Sequence, residues 1–148
     1  MQSVERNIWL PYSPKTVYEC LTNPDDLASI VGRIAAVQVI EREGDVGRVA
    51  VTLDMPMRKV VKTTGEVIGL PYEQLTFTTH EPFPLTFIWR LEDAPQDAQP
   101  GTRIHASLGF DLSMFGVPVA GSLIEGIVGS ELEDDLQRLT HHIAAQAP

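Results

Sequence analysis

Two hydrophobic periods divide this chain, and together they leave few folds open. From Ile34 to Leu112 apolar residues recur at every second position, and from Val117 to Ala145 at every third or fourth. A period of two marks strands that bury one face; a period near 3.6 marks an amphipathic helix. Six strands are predicted in the first region: Val37 to Glu41, Val46 to Met55, Arg58 to Ile68, Gln74 to His80, Leu85 to Glu92 and Thr102 to Leu112. Turn chemistry separates them, in Glu43-Gly44-Asp45, Met55-Pro56, Gly69-Leu70-Pro71, Glu81-Pro82-Phe83-Pro84 and Ala94 to Gly101. Connections this short favour an antiparallel meander. One face is apolar along Val49, Val51, Leu53 and Met55, along Leu85, Phe87, Trp89 and Leu91, and along Ile104, Ala106, Leu108, Phe110 and Leu112. In the tail, Ala120, Ile124, Ile127, Val128, Leu132, Leu136, Leu139 and Ile143 form one stripe. A helix of that length spans about 40 Å, enough to cross the sheet, and the two apolar faces must bury each other.

The start of the chain adds a strand, Val4 to Leu10, and two helix signals about ten residues apart, Ser13-Pro14 and Asn23-Pro24. In each, a small polar side chain can cap free amides while proline takes the first helical position. The helices are expected over Pro14 to Leu21 and Pro24 to Ile30, with Asp25 and Asp26 at an N-terminus that favours negative charge. The expected class is α+β, a seven-stranded antiparallel sheet against a long C-terminal helix, in one domain over residues 1–148.

Charge narrows the partners. With 11 Lys and Arg against 20 Asp and Glu, the net charge is −9. A general nucleic-acid binder must neutralise phosphates, so none is expected, and adhesion to anionic lipid is disfavoured equally. The single cysteine, Cys20, excludes a disulfide within the chain. No signal peptide and no integral membrane segment is expected, which makes the cytoplasm the expected compartment.

The order of elements resembles the helix-grip fold of the START-like, or SRPBCC, superfamily, including its polyketide cyclase/dehydrase-like members. The opening carries the likeness: Ile8-Trp9-Leu10-Pro11-Tyr12-Ser13-Pro14-Lys15-Thr16-Val17-Tyr18, then Leu21-Thr22-Asn23-Pro24-Asp25-Asp26-Leu27. Trp89-Arg90-Leu91 followed by Gly101-Thr102-Arg103-Ile104 is similar to the last two strands. Gly121 to Gly126 with Leu132 to Leu139 is similar to the closing helix, also in the superfamily's carbon monoxide dehydrogenase accessory members. Asn23 stands where Asp is commoner, and Ile30-Val31-Gly32 lacks an aromatic often found there.

The resemblance implies an internal cavity, because a curved sheet around a helix encloses space that side chains or a ligand must fill. The expected lining is Val51, Leu53, Phe77, Phe87, Trp89, Leu108 and Phe110 on the sheet, opposed by Ile124, Ile127 and Val128 on the helix. Thr79 shares parity with Leu75 and Phe77, so its hydroxyl is expected to point inward as a lone polar group. Gly116, Gly121, Gly126 and Gly129 thin the first half of the tail helix, either to leave ligand room or to let backbones approach. The bulkier second half is expected to close the core.

Catalytic signals are sparse, and no catalytic set is assigned. His105, Asp111 and Arg90 fall on the strand parity that faces water, and His80 ends a strand at a turn. No His-x-x-x-His or Cys-x-x-Cys occurs, so no metal site is expected. His141 and His142 complement the helix dipole, and Cys20 reads as a buried inert thiol. Gly116 to Ser122 lacks the lysine of a phosphate loop, and no Gly-x-Ser-x-Gly elbow exists. Arg58, Lys59 and Lys62 form the basic cluster, either meeting an anionic head group or blocking edge pairing. Met55-Pro56-Met57 and Gly69-Leu70-Pro71-Tyr72 are candidate gates.

The expected function is binding or transport of a hydrophobic, lipid- or polyketide-like small molecule, with no cofactor. Two alternatives stay open: a cyclase, aromatase or dehydratase, and an interaction or accessory factor without a ligand. A homodimer also stays open.

Overall fold

A computed structural model describes residues 2–55, 59–81, 84–111 and 121–146. Strand β1 (Gln2–Leu10) leads into helices α1 (Pro14–Leu21) and α2 (Pro24–Ile30). Six strands follow: β2 (Ile34–Glu43), β3 (Val46–Met55), β4 (Lys59–Leu70), β5 (Gln74–Thr79), β6 (Leu85–Asp93) and β7 (Thr102–Phe110). Helix α3 (Gly121–Gln146) closes the chain. The strands form one sheet in the order β1-β7-β6-β5-β4-β3-β2, every pair antiparallel. Every connection after β2 joins neighbours, and only β1 is placed by a long-range pairing with β7. The sheet wraps α3, which packs against β1 and α2 in the helix-grip arrangement.

The helix starts are built as their residues dictate. Ser13 Oγ accepts from the Thr16 amide at 3.3 Å, and Asn23 Oδ1 from the Asp25 amide at 3.0 Å, with proline at the first helical position of each. In the sheet, the predicted parity holds where both strands are regular. Val49, Val51, Leu53, Leu85, Trp89, Leu91, Ile104, Ala106, Leu108 and Phe110 are all buried. The small Ala106 lies opposite Trp89 and leaves room for its ring.

Strand β2 begins at Ile34, earlier than the period suggested. Its pairing with β3 slips between Ile34 and Ala36 and again between Val39 and Glu41. Each slip shifts the inward parity by one residue and erases the alternation. It is also an edge strand, exposed along most of its length. The expected ends of β7 at Leu112 and of α3 at Val117 lie outside the described residues.

Ile127 departs from the expected stripe. It is 45% exposed, whereas Ile124, Val128, Leu132, Leu136, Leu139 and Ile143 are buried. At about 100° per residue, Ile127 sits roughly 100–160° around the helix from Val128, Leu132, Leu139 and Ile143. The buried position next to that stripe belongs instead to Asp135.

Candidate functional site

Between the sheet and α3 lies a cavity of about 340 Å³. Its floor is the apolar sheet face. Phe77 and Phe87 are cross-strand partners, and the Phe87 and Trp89 rings stack with centroids 5.3 Å apart and planes 15° from parallel. Phe77 can lie flat because its neighbour across part of the sheet is Gly65: a β-carbon there would run into the ring. Val51, Leu53, Leu108 and Phe110 continue the wall, and Val128 and Leu132 form its α3 side. The third side is helical: Leu21, Pro24, Leu27 and Val31 from α1 and α2.

The exposed members of the lining mark the mouth. They are Val39, Glu41, Arg42, Gly44 and Val46 of the β2–β3 hairpin, Gly32 after α2, Asp54 near the end of β3, and Asp134 and Arg138 on α3. Two polar links tie α3 to the α2–β2 junction beside it. Arg33 binds Glu131 through two contacts, Nε to Oε2 at 2.7 Å and Nη2 to Oε1 at 2.6 Å, and donates from Nη1 to the Asp54 carbonyl at 2.9 Å. Planar guanidinium and carboxylate match in this two-pronged geometry. One turn later, Asp135 Oδ1 accepts from the Gly32 amide at 3.0 Å and from Arg138 Nη1 at 2.7 Å.

Asp135 is the titratable group of this wall whose environment perturbs it most plainly. Its residue exposure is 6%. Burial pushes its carboxyl up to about 6, against the opposing pull of the Gly32 amide and the Arg138 charge. A second polar contact steadies the opposite side of the mouth: the Tyr18 hydroxyl donates to Asp45 Oδ1 at 2.8 Å, and burial with that carboxylate pushes the phenol up.

Eight of the eleven residues expected to line a cavity lie together on this one: Val51, Leu53, Phe77, Phe87, Trp89, Leu108, Phe110 and Val128. Three do not. Ile127 turns outward into a shallow depression with Leu123, Gly126 and Ser130. Ile124 and Thr79 are buried, at 5% and 1% exposure, but outside the cavity wall. Thr79 pairs with Gly65 and Leu85 at the end of β5, where Leu85 reaches the cavity and Thr79 does not.

The described glycines of α3, Gly126 and Gly129, do not make the cavity. A β-carbon on Gly126 would meet nothing within 4 Å, and one on Gly129 would strike the Arg6 guanidinium. The hollow lies farther along, against Val128 to Arg138, the half expected to close the core. Gly116 and the Met55-Pro56-Met57 gate, apart from the Met55 backbone, lie outside the described residues, as does the side chain of Lys59 and all of Arg58. Lys62 is exposed on β4 and absent from the wall. Leu70 and Tyr72 are exposed and also absent from the wall; Tyr72 meets Tyr18 edge to face at 5.7 Å.

His105 sits on the outer sheet face, its ring nitrogens 3.9 and 3.8 Å from Glu5 and Glu92. Arg90 is exposed there too. Sequence patterning missed Arg33, Glu131, Asp135 and Arg138, because Glu131 to Asp135 reads locally as a solvated helix face. Only the approach of the α2–β2 junction turns that face into a cavity rim.

The family model described as polyketide cyclase / dehydrase and lipid transport matches residues 1–144. Solved structures share the fold at low identity. TTHA0849 from Thermus thermophilus is 21% identical, with a TM-score of 0.76 over 99% of this chain and 100% of that one. A START superfamily protein from Mycobacterium smegmatis is 12% identical, with a TM-score of 0.74 over 98% and 99%. The Zhui aromatase/cyclase from Streptomyces sp. R1128 is 16% identical, with a TM-score of 0.72 over 97% and 93%. No curated protein sequence matches. Among the described residues, no helix is long and apolar enough to cross a membrane.

Proposed function

Since the chain belongs to the polyketide cyclase / dehydrase and lipid transport family, we propose that it binds a hydrophobic small molecule in the cavity between its sheet and α3. The observation that carries this reading is the hollow itself, about 340 Å³ with an apolar floor and a charged mouth. That size falls in the range of small-molecule sites, where apolar walls supply affinity and a few polar groups orient the ligand. Val51, Leu53, Phe77, Phe87, Trp89, Leu108, Phe110 and Val128 are the proposed contact residues. Their aromatic part suits a flat or chain-like body, and Arg33, Glu131 and Asp135 suit its polar end. Native mass spectrometry of freshly purified protein tests the reading. A discrete adduct removed by chloroform supports it. It fails if the protein is free of adducts and the neutral probe 1-aminoanthracene gives no saturable fluorescence.

A second reading, a cyclase or dehydratase acting on a polyketide-like chain, is favoured by one observation. Asp135 is a buried carboxyl on the cavity wall with a pKa of about 6. Such a group holds and releases a proton near neutrality, as a general base for an acidic methylene must. Under this reading Asp135→Asn abolishes turnover of a poly-β-keto substrate analogue while 1-aminoanthracene still binds. Unchanged turnover removes Asp135 from the chemistry.

A further inference from the structure

Away from the cavity, three side chains from three helices converge where the ends of α1, α2 and α3 meet. Cys20 comes from α1, Asp26 from α2 and His142 from α3. The Cys20 sulfur, an Asp26 carboxylate oxygen and a His142 ring nitrogen all lie within 4.8 Å of one another. His142 Nε2 is 2.8 Å from Asp26 Oδ1. Gln146, one turn after His142, brings its Nε2 to 3.4 Å from that oxygen and 3.1 Å from the imidazole nitrogen. The sulfur lies deepest, with Cys20 6% exposed. The Asp26 and His142 side chains are 16% and 24% exposed and form the entrance. None of the three lines the cavity.

We propose that Cys20, Asp26 and His142 form a site for one borderline-soft divalent cation of the zinc class, joining the ends of the three helices. Thiolate, imidazole and carboxylate are the donors this class of ion prefers, and three protein ligands leave a fourth position for water or another donor. Bonds of about 2.0–2.3 Å place tetrahedral donors roughly 3.3–3.6 Å apart. The present spacings, 2.8 Å between Asp26 and His142 and up to 4.8 Å among the three, bracket that distance. A thiol beside a carboxylate in a poorly solvated site resists ionisation, and burial together with the Asp26 charge pushes Cys20 up to about 11. A divalent cation would bind in place of the thiol proton and bridge the thiolate and the carboxylate. Binding through sulfur releases the thiol proton, so affinity falls as pH falls.

Cobalt(II) is the probe, because a thiolate ligand gives it a near-ultraviolet charge-transfer absorption. The full chain, kept reduced, should take up one cobalt per chain with that absorption, and zinc should displace it. Cys20→Ser should lose the absorption, and His142→Gln and Asp26→Asn should each weaken uptake by at least about tenfold. His141→Gln, on the exposed neighbour, should bind as the parent does. Zinc should raise the melting temperature of the parent and leave that of Cys20→Ser unchanged. Circular dichroism of each variant separates lost ligands from lost fold. No cobalt absorption at a tenfold excess overturns the proposal, as does an absorption that persists in Cys20→Ser. The 1-aminoanthracene assay reads the cavity independently, so either site can fail alone.

Discussion

At Asp135 the opposing forces can be ranked. The Gly32 amide and the Arg138 guanidinium both favour the carboxylate, yet burial outweighs them and leaves the group at about 6. A carboxyl whose folded pKa lies above its unfolded value binds its proton more tightly in the folded state. Its contribution is therefore most favourable below the unfolded value of about 4, declines as pH rises to about 6, and is a constant cost above that. Other carboxylates titrate too, so the difference between the parent and Asp135→Asn isolates this one. Asn keeps an acceptor for Gly32 and carries no charge to desolvate. The variant is expected to be more stable than the parent at pH 8, by about 1–2 kcal/mol after the loss of the Arg138 pair. That advantage should fade between pH 6 and pH 4. Urea unfolding across that range measures it, and an advantage independent of pH would contradict the assignment.

Among the elements, α2 has the most leverage on the cavity, because Pro24 and Leu27 face it, Val31 follows at its end, and Gly32 and Arg33 then meet α3. Its seven residues are too few to be stable alone. It is held by its cap and its contacts. Asn23→Ala removes the acceptor for the Asp25 amide and should cost about 1 kcal/mol, with the urea m-value unchanged. Arg33→Ala should cost more than its partial exposure suggests, about 1–3 kcal/mol, because Glu131 and the Asp54 carbonyl both lose a charged donor. A ligand that closes against this rim should also dissociate faster from Arg33→Ala, which stopped-flow displacement of 1-aminoanthracene reads. The elements themselves were legible where local chemistry was consistent. Ser13-Pro14 and Asn23-Pro24 announced both short helices, and parity placed β3, β6 and β7. Strand β2 was obscured by its two register slips, and Ile127 by an apolar identity that geometry overruled.

For the whole molecule, the question is whether the space between sheet and helix is filled. Val51→Trp tests it. In a filled core the larger ring costs about 1–3 kcal/mol. Into a hollow of about 340 Å³ it should fit with little loss of stability and abolish both adduct and probe binding. A large loss of melting temperature would mean that the wall has no room.

The sequence by itself determined that there are seven strands and three helices, and the inward parity of β3, β6 and β7, because those follow from periods of two and 3.6 and from capping residues acting within a few positions. It also placed most of the sheet lining, since parity carries a side chain to one face wherever the partner strand lies. Tertiary structure alone decided where the hollow falls along α3, which charges rim it, and that Cys20, Asp26 and His142 meet. Those outcomes depend on contacts across about a hundred residues, such as Gly32 with Asp135 and Asp26 with His142. Such a contact depends on how curved surfaces close on each other in three dimensions, a geometry that no local repeat encodes.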